Sequence, residues 1–156
     1  MATGLAGSSL EVEPFRTGGD APLYVGNGAT GPTSLGLAIR DRAGGSVLTY
    51  APGLADLDEE ISGRFAASDC VLVDGTFWTN DELAAAGIAK RDARAMGHAP
   101  LSGDGGTLSR LSALEARTIL VHLNNTNPIL LDDSQERATV EASGVEVGYD
   151  GMEIEL

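Results

Sequence analysis

Arg117-Thr-Ile-Leu-Val-His122-Leu-Asn-Asn-Thr-Asn-Pro128 is the stretch on which the reading of this chain turns. Thr118 to Val121 is a continuous, largely β-branched apolar run, which reads as a strand buried on both faces, as in a sheet flanked by helices. His122 stands at its C-terminal end. Asn124, Asn125, Thr126 and Asn127 follow, side chains that cap, turn and hydrogen-bond locally, and Pro128 stops the ladder. An imidazole where a buried strand opens into a polar loop is where α/β proteins place ligands. The position equally suits a core histidine bonded to a neighbouring carbonyl, and spacing by itself leaves both readings open.

With 156 residues the chain has the length of one domain with a core. Its 10 Lys+Arg against 23 Asp+Glu give a net charge of -13, which repels phosphate backbones and anionic membrane surfaces and argues against nucleic acid as a partner. No apolar run approaches the roughly 20 residues that cross a bilayer, and Met1 to Leu10 has neither a basic start nor a sustained apolar core. The expectation is a soluble cytoplasmic protein that does not engage a membrane. A single cysteine, Cys70, excludes an internal disulfide and a Cys-rich zinc site. In Ser-Asp-Cys-Val-Leu-Val it reads as a small buried residue beginning a strand.

Around the deciding stretch, residues 1–9 are small and non-periodic and read as a frayed leader, with one domain over 10–156. Leu10 to Phe15 is weakly strand-like, and Pro14 places that strand at an edge or ends it. Thr17 to Thr33, rich in glycine, reads as a long surface loop. Ser34–Asp41 and Ser46–Ala51 bracket Arg42-Ala-Gly-Gly45 as a β-hairpin. Leu57, Ile61 and Phe65 fall at helical spacing, with Asp56, Asp58, Glu59 and Glu60 in the opening turns where carboxylates favour the helix dipole. Cys70-Val-Leu-Val-Asp-Gly75 is a second buried strand, ending in a carboxylate. Asn80 is expected to cap a short helix over Asp81–Ala86, closed by Gly87. Ile88 to Gly106 reads as a loop over the site, and Thr107, Leu108, Leu111 and Leu114 predict a helix of roughly ten residues. Asp132 or Asp133 is expected to cap a last helix over Ser134–Ala142, with Gly144 ending it. Val145–Tyr149 and Met152–Leu156 flank Asp150-Gly151 as a terminal hairpin. The alternation of strands and helices predicts an α/β fold, a sheet with helices packed on it.

Three polar side chains lie at or near strand ends: Asp74, His98 in Met-Gly-His-Ala, and His122. A carboxylate and two imidazoles from separate loops suit zinc or iron(II) and leave positions open for substrate. For Asp74 the alternative is an Asx turn with Thr76 or a helix cap, and for a loop histidine it is plain solvation. Gly103-Asp-Gly-Gly106 lacks a P-loop lysine and a preceding strand and reads as a turn. Phe77 and Trp78 read as core aromatics. No nucleophile triad can be assembled.

Tyr50-Ala-Pro-Gly-Leu54, Asp69-Cys-Val-Leu-Val-Asp-Gly-Thr-Phe-Trp78, Met96-Gly-His98, Val121-His-Leu-Asn-Asn-Thr-Asn-Pro-Ile-Leu130 and Asp150-Gly-Met152 closely resemble the C-terminal half of the PqqB family, the coenzyme PQQ synthesis proteins B. The resemblance runs from about Leu10 to Leu156. It implies half of a metallo-β-lactamase-like αββα sandwich: a mixed sheet flanked by helices. It also implies a cytoplasmic step in the biosynthesis of pyrroloquinoline quinone (PQQ), with iron- and oxygen-dependent hydroxylation of the tyrosine of a peptide-derived Glu-Tyr precursor as the proposed reaction. The other role it implies is a non-catalytic carrier in the transport of PQQ or its precursor to the periplasm. By match to the motifs, His122 and Asp74 are implied metal ligands for iron(II) or zinc, His98 a catalytic residue, and Asn124, Asn125 and Asn127 substrate-binding residues. Family members are about twice as long, and their N-terminal half carries a Cys-x-Cys-x-x-Cys zinc clip and further Asp and His ligands that this chain lacks. The resemblance therefore implies a metal centre short of ligands, or empty, in this chain alone, with a homodimer or a complementing N-terminal half to complete it and to cover the apolar sheet face left exposed.

Overall fold

A computed structural model describes residues 2–19 and 34–156. Most of the glycine-rich loop expected over Thr17–Thr33 thus lies outside the described residues. The elements in chain order are β1 (Thr3–Gly4), β2 (Leu10–Arg16), β3 (Leu35–Asp41), β4 (Val47–Ala51), α1 (Glu59–Ala66), β5 (Cys70–Asp74), α2 (Glu82–Ala85), α3 (Leu108–Leu111), β6 (Arg117–Val121), α4 (Gln135–Ala142) and β7 (Glu146–Val147). Single 3₁₀ turns occupy Arg94–Met96 and Pro128–Leu130. The strands form one mixed sheet in the order β1 to β7, antiparallel from β1 to β4 and parallel from β4 to β7. Parallel neighbours require crossovers, and right-handed crossovers that step in one direction keep their helices on one face. Among the described residues no helix is long and apolar enough to cross a membrane.

The helix-facing side carries the core. Val71, Val73 and Leu120 from the sheet join Ile61 and Phe65 of α1, Leu111 of α3 and Val140 of α4 in one buried cluster. Asp58 caps α1 through its carboxylate, which accepts from the Ile61 amide at 2.8 Å, and Glu59 and Glu60 occupy the first turn as the acidic pattern predicts. The β3–β4 hairpin forms around Arg42–Gly45, where the Asp41 carboxylate accepts from the Ala43 and Gly44 amides and Gly45 supplies a φ of 85°. Cys70 opens β5 and is fully buried.

The opposite face is read from the register. Leu37 lies opposite Tyr50, Ile39 opposite Leu48, Tyr50 opposite Leu72 and Leu72 opposite Ile119. Directly opposed residues share a face, so this face is apolar too. Tyr50 is 37% exposed and Leu35 48% exposed.

Several local expectations are corrected. Within the segment expected to fray, Thr3 and Gly4 pair with Val12 and Glu11 as an edge strand. Of the two readings of Pro14, the edge position holds: it sits in the part of β2 that β1 does not cover, so its missing N–H is tolerated inside a strand. The α3 helix has four residues instead of about ten, because the chain must turn into β6, where the Arg117 amide bonds to the Asp69 carbonyl at 3.0 Å. Ser134, not Asp132 or Asp133, caps α4 by accepting from the Arg137 amide. Asn80 caps nothing. Its side chain instead accepts from the Arg94 amide at 3.1 Å and anchors the following loop. The terminal hairpin does not form: Asp150-Gly151 makes its turn, with Met152 N bonded to Tyr149 O, but β7 has only two residues and offers no ladder for a returning strand.

Gly36 pairs with Phe15, and a Cβ built on Gly36 would lie 2.3 Å from the Phe15 ring. Gly36→Ala therefore lowers stability by about 1–3 kcal/mol in urea unfolding, and adding Phe15→Leu recovers most of the loss. A single variant as stable as the wild type would contradict this packing.

Candidate metal centre

The parallel strands β4, β5 and β6 end side by side, and their carboxyl ends bring the polar loops together. Asp74 is the last residue of β5 and its side chain is 1% exposed. A carboxylate so buried must be satisfied. Its Oδ1 accepts from the Thr76 amide at 3.0 Å and the Thr76 hydroxyl at 2.5 Å, and its Oδ2 accepts from the Leu54 amide at 2.8 Å. His98 Nδ1 lies 2.6 Å from the same Oδ2. The Asx turn with Thr76 considered from the sequence thus exists, and the carboxylate serves the site as well.

His122 follows β6 with φ 58°, the one positive φ outside glycine among the described residues. Left-handed backbone at a non-glycine residue is strained and persists where its surroundings fix it. Here the Thr76 hydroxyl lies 2.9 Å from the His122 carbonyl and 2.8 Å from its Nδ1. The imidazole turns back toward Asp74 and stacks on His98, with centroids 5.3 Å apart. Its side chain is 54% exposed, against 16% for His98. The core-histidine alternative is thereby set aside for His122. His98 arrives from the loop after the Arg94–Met96 turn, its amide bonded to the Ala93 carbonyl, and Phe77 packs edge-on against its ring.

Gly75 lets these ends meet. Its amide bonds to the Val121 carbonyl at 2.9 Å, and a Cβ there would lie 2.7 Å from Leu123 and 2.9 Å from Leu120. A side chain at this position would push the loop after β5 away from the one after β6.

Asp74, His98 and His122 each offer a ligand atom, and these atoms lie within 4.8 Å of one another. One carboxylate and two imidazoles are donors that zinc and iron(II) both accept, so the residues present fit a metal ion. Of the asparagines assigned to substrate, only Asn125 is exposed without a side-chain bond among the described residues. Asn124 donates to Thr126. Asn127 is corrected: it is 2% exposed, donates to the Gly75 and Thr76 carbonyls and accepts from the Ile129 amide, so its amide braces the loop and cannot reach a ligand.

Two contributors escaped the sequence reading. Thr76, seen there only as a turn former, touches all three donors. Glu82, inside the short helix expected over Asp81–Ala86, is 8% exposed and accepts from the Trp78 amide and the Thr126 hydroxyl, tying α2 to the asparagine loop. An open cleft of about 860 Å³ borders the centre, with His122, Val121, Leu72, Arg137 and Tyr149 in its walls.

Burial pushes the Asp74 carboxyl up, but the two imidazoles and the Thr76 bond outweigh this and hold it below the ordinary 3.8. For His122, the Asp74 carboxylate raises the imidazole above its ordinary 6.5 against a smaller effect of burial. His122 Nδ1 is 3.9 Å from Asp74 Oδ1, too far for a direct bond, and the Thr76 hydroxyl lies within reach of both.

A family model described as the beta-lactamase superfamily domain matches residues 1–123. The chain is 50% identical over 155 residues to a coenzyme PQQ synthesis protein B from Cupriavidus necator, covering 97% of this chain and 50% of that protein. A protein of the same description from Nitrosococcus oceani is 45% identical, with 98% and 50% covered. The chain thus spans about half the length of the curated relatives it matches. Among solved structures, a zinc-bound PqqB from Methylobacterium extorquens superposes with a TM-score of 0.87 at 37% identity, over 95% of this chain and 51% of that one. An unliganded yeast PDE1, 14% identical with a TM-score of 0.60, shares the fold.

In the metal-free chain, a raised His122 pKa stabilises the fold fully below 6.5, and that contribution fades as pH rises through the higher folded value. The Asp74 contribution has the opposite sense, present above 3.8 and lost as pH falls through the lower folded value. The difference in thermal midpoint between wild type and His122→Gln accordingly narrows as the pH is raised from 6.5 into the alkaline range. A difference that stays constant across that range would contradict the coupling.

Proposed function

Because the chain belongs to the beta-lactamase superfamily domain family, and its relatives are coenzyme PQQ synthesis proteins B, we propose that it corresponds to one half, contributing part of a metal centre, of a protein acting in PQQ biosynthesis. The reaction we assign to the assembled protein is hydroxylation of the tyrosine ring in a peptide-derived Glu-Tyr precursor, in which one atom of dioxygen enters the ring and the other leaves as water with two electrons and two protons from an external reductant. The observation that carries this reading is the convergence of Asp74, His98 and His122 at the carboxyl ends of neighbouring strands.

Asp74, His98 and His122 would hold the metal. Iron(II), when bound, would supply the redox chemistry that ring hydroxylation with oxygen needs and that zinc lacks. The chain's own contribution is positional. Asp74 keeps a negative charge in a dry setting, fixed by the Leu54 and Thr76 amides. His98 is held rigidly between Phe77 and Asp74, whereas the more open His122 faces the cleft through which substrate would enter. Tyr149 in that cleft offers an aromatic ring a stacking partner. Asn125, exposed beside it in sequence, is the asparagine left to meet polar groups of the precursor.

The exposed sheet face around Leu35, Leu48 and Tyr50 would be covered by the remaining half of such a protein, in the same polypeptide or in a separate one, which would add the outstanding ligands. Titration calorimetry tests the metal reading on the chain itself. Zinc or iron(II) should bind at one site per chain, and His122→Ala should weaken binding by at least about 10–100-fold. A chain that takes up no metal yet binds quinone would favour the carrier role instead.

A further inference from the structure

The Thr76 hydroxyl sits among more acceptors than it has protons. It lies 2.5 Å from Asp74 Oδ1, 2.9 Å from the His122 carbonyl, 2.8 Å from His122 Nδ1 and 3.2 Å from His98 Nδ1. A threonine hydroxyl has one proton and two lone pairs. Asp74 Oδ1 and the His122 carbonyl carry no proton, so each depends on Thr76 for one, and the shorter contact to the anion takes it. Were His122 Nδ1 also bare, a third acceptor would converge on that same proton. The contacts balance when Nδ1 carries its own hydrogen. His98 is a separate case: its Nδ1 is 2.6 Å from Asp74 Oδ2, an acceptor, and so is protonated through a direct bond that does not involve Thr76.

We propose that Thr76 is a positioning residue that fixes the tautomer of His122, accepting its Nδ1–H and donating to Asp74, so that the ring is left with its Nε2 lone pair free. Thr76 is suited to the task. It is 6% exposed, its backbone amide is also bonded to Asp74, and its carbonyl is held by Asn127 and by the Asn124 amide, so the hydroxyl has little freedom to turn. The relay spans the 3.9 Å between Asp74 and His122 that no direct hydrogen bond bridges. A histidine that binds a metal commonly donates its other nitrogen to a polar partner, which sets the ring's orientation and basicity. Thr76 supplies that partner for His122; His98 Nδ1 is bonded to Asp74 in the metal-free chain and gives up that hydrogen if the two hold one ion. The consequence for metal binding rests on the reading above, whereas the tautomer assignment concerns the metal-free chain.

Long-range ¹H–¹⁵N correlation spectra of the metal-free chain, recorded at a pH where the ¹⁵N shifts show both rings to be neutral, report each ring's tautomer. The wild type should show both histidines as Nδ1–H. In Thr76→Val, which keeps the shape and removes the hydroxyl, His122 should shift toward Nε2–H while His98 stays Nδ1–H, and Thr76→Ser should restore His122. Zinc affinity should follow, falling about 10–100-fold in Thr76→Val and recovering in Thr76→Ser. Wild-type His122 in the Nε2–H form overturns the proposal without any variant, and so does a Thr76→Val spectrum that leaves His122 unchanged. Failure of the wild type to bind zinc, with the tautomers as expected, would count against the metal centre and leave this assignment standing.

Discussion

A carboxylate buried to 1% exposure has to collect its hydrogen bonds from whatever surrounds it, and around Asp74 that requirement organises the carboxyl end of the sheet. Its acceptor positions draw on Leu54 after β4, Thr76 after β5 and His98 from the loop that precedes α3. Segments far apart in sequence are thereby tied to a single anion. Leaving one of those bonds unmade would strand a charge in a dry environment, at a cost comparable to a sizeable part of a small domain's stability. The loops are consequently fixed before any ligand arrives, and the side chains that could bind one inherit that fixity.

Backbone constraints complete the arrangement. Gly75 allows the end of β5 to lie against Leu120 and Leu123. The left-handed turn at His122 swings the chain out of β6 while sending the ring back toward Asp74. Asn127 then straps the following loop to the Gly75 and Thr76 carbonyls, and Glu82 holds the far side of that loop through Thr126. A chain with net charge -13 thus holds an anionic pocket together through hydrogen-bond donors and imidazoles, with no lysine or arginine among the described residues bonded to Asp74.

Much of this was legible in the sequence where one residue type has one dominant use. The apolar runs at Cys70–Val73 and Thr118–Val121 gave the buried parallel strands, Gly-Gly the hairpin turn, and the acidic first turn α1. Asp74, His98 and His122 stood out as polar groups at strand ends and do come together. What failed were choices among equivalent local signals. Ser134 and Asp132 are both good caps, and the backbone decides between them. Asp150-Gly151 turns the chain whether or not strands flank it, and β7 proved too short to support a partner. Asn124, Asn125 and Asn127 look alike in sequence, yet burial gives Asn127 to the scaffold and leaves Asn125 to solvent. The parts played by Thr76 and Glu82 depend on contacts across 46 and 44 residues of sequence, which no local pattern encodes.

The central claim, that Asp74, His98 and His122 make one metal centre, is tested most directly by X-ray absorption at the zinc edge on the zinc-loaded chain. A first shell of nitrogen and oxygen at about 2.0–2.1 Å, with the outer-shell scattering of coordinated imidazole, is the expected result. A spectrum showing oxygen neighbours alone, or sulfur from Cys70, would contradict it.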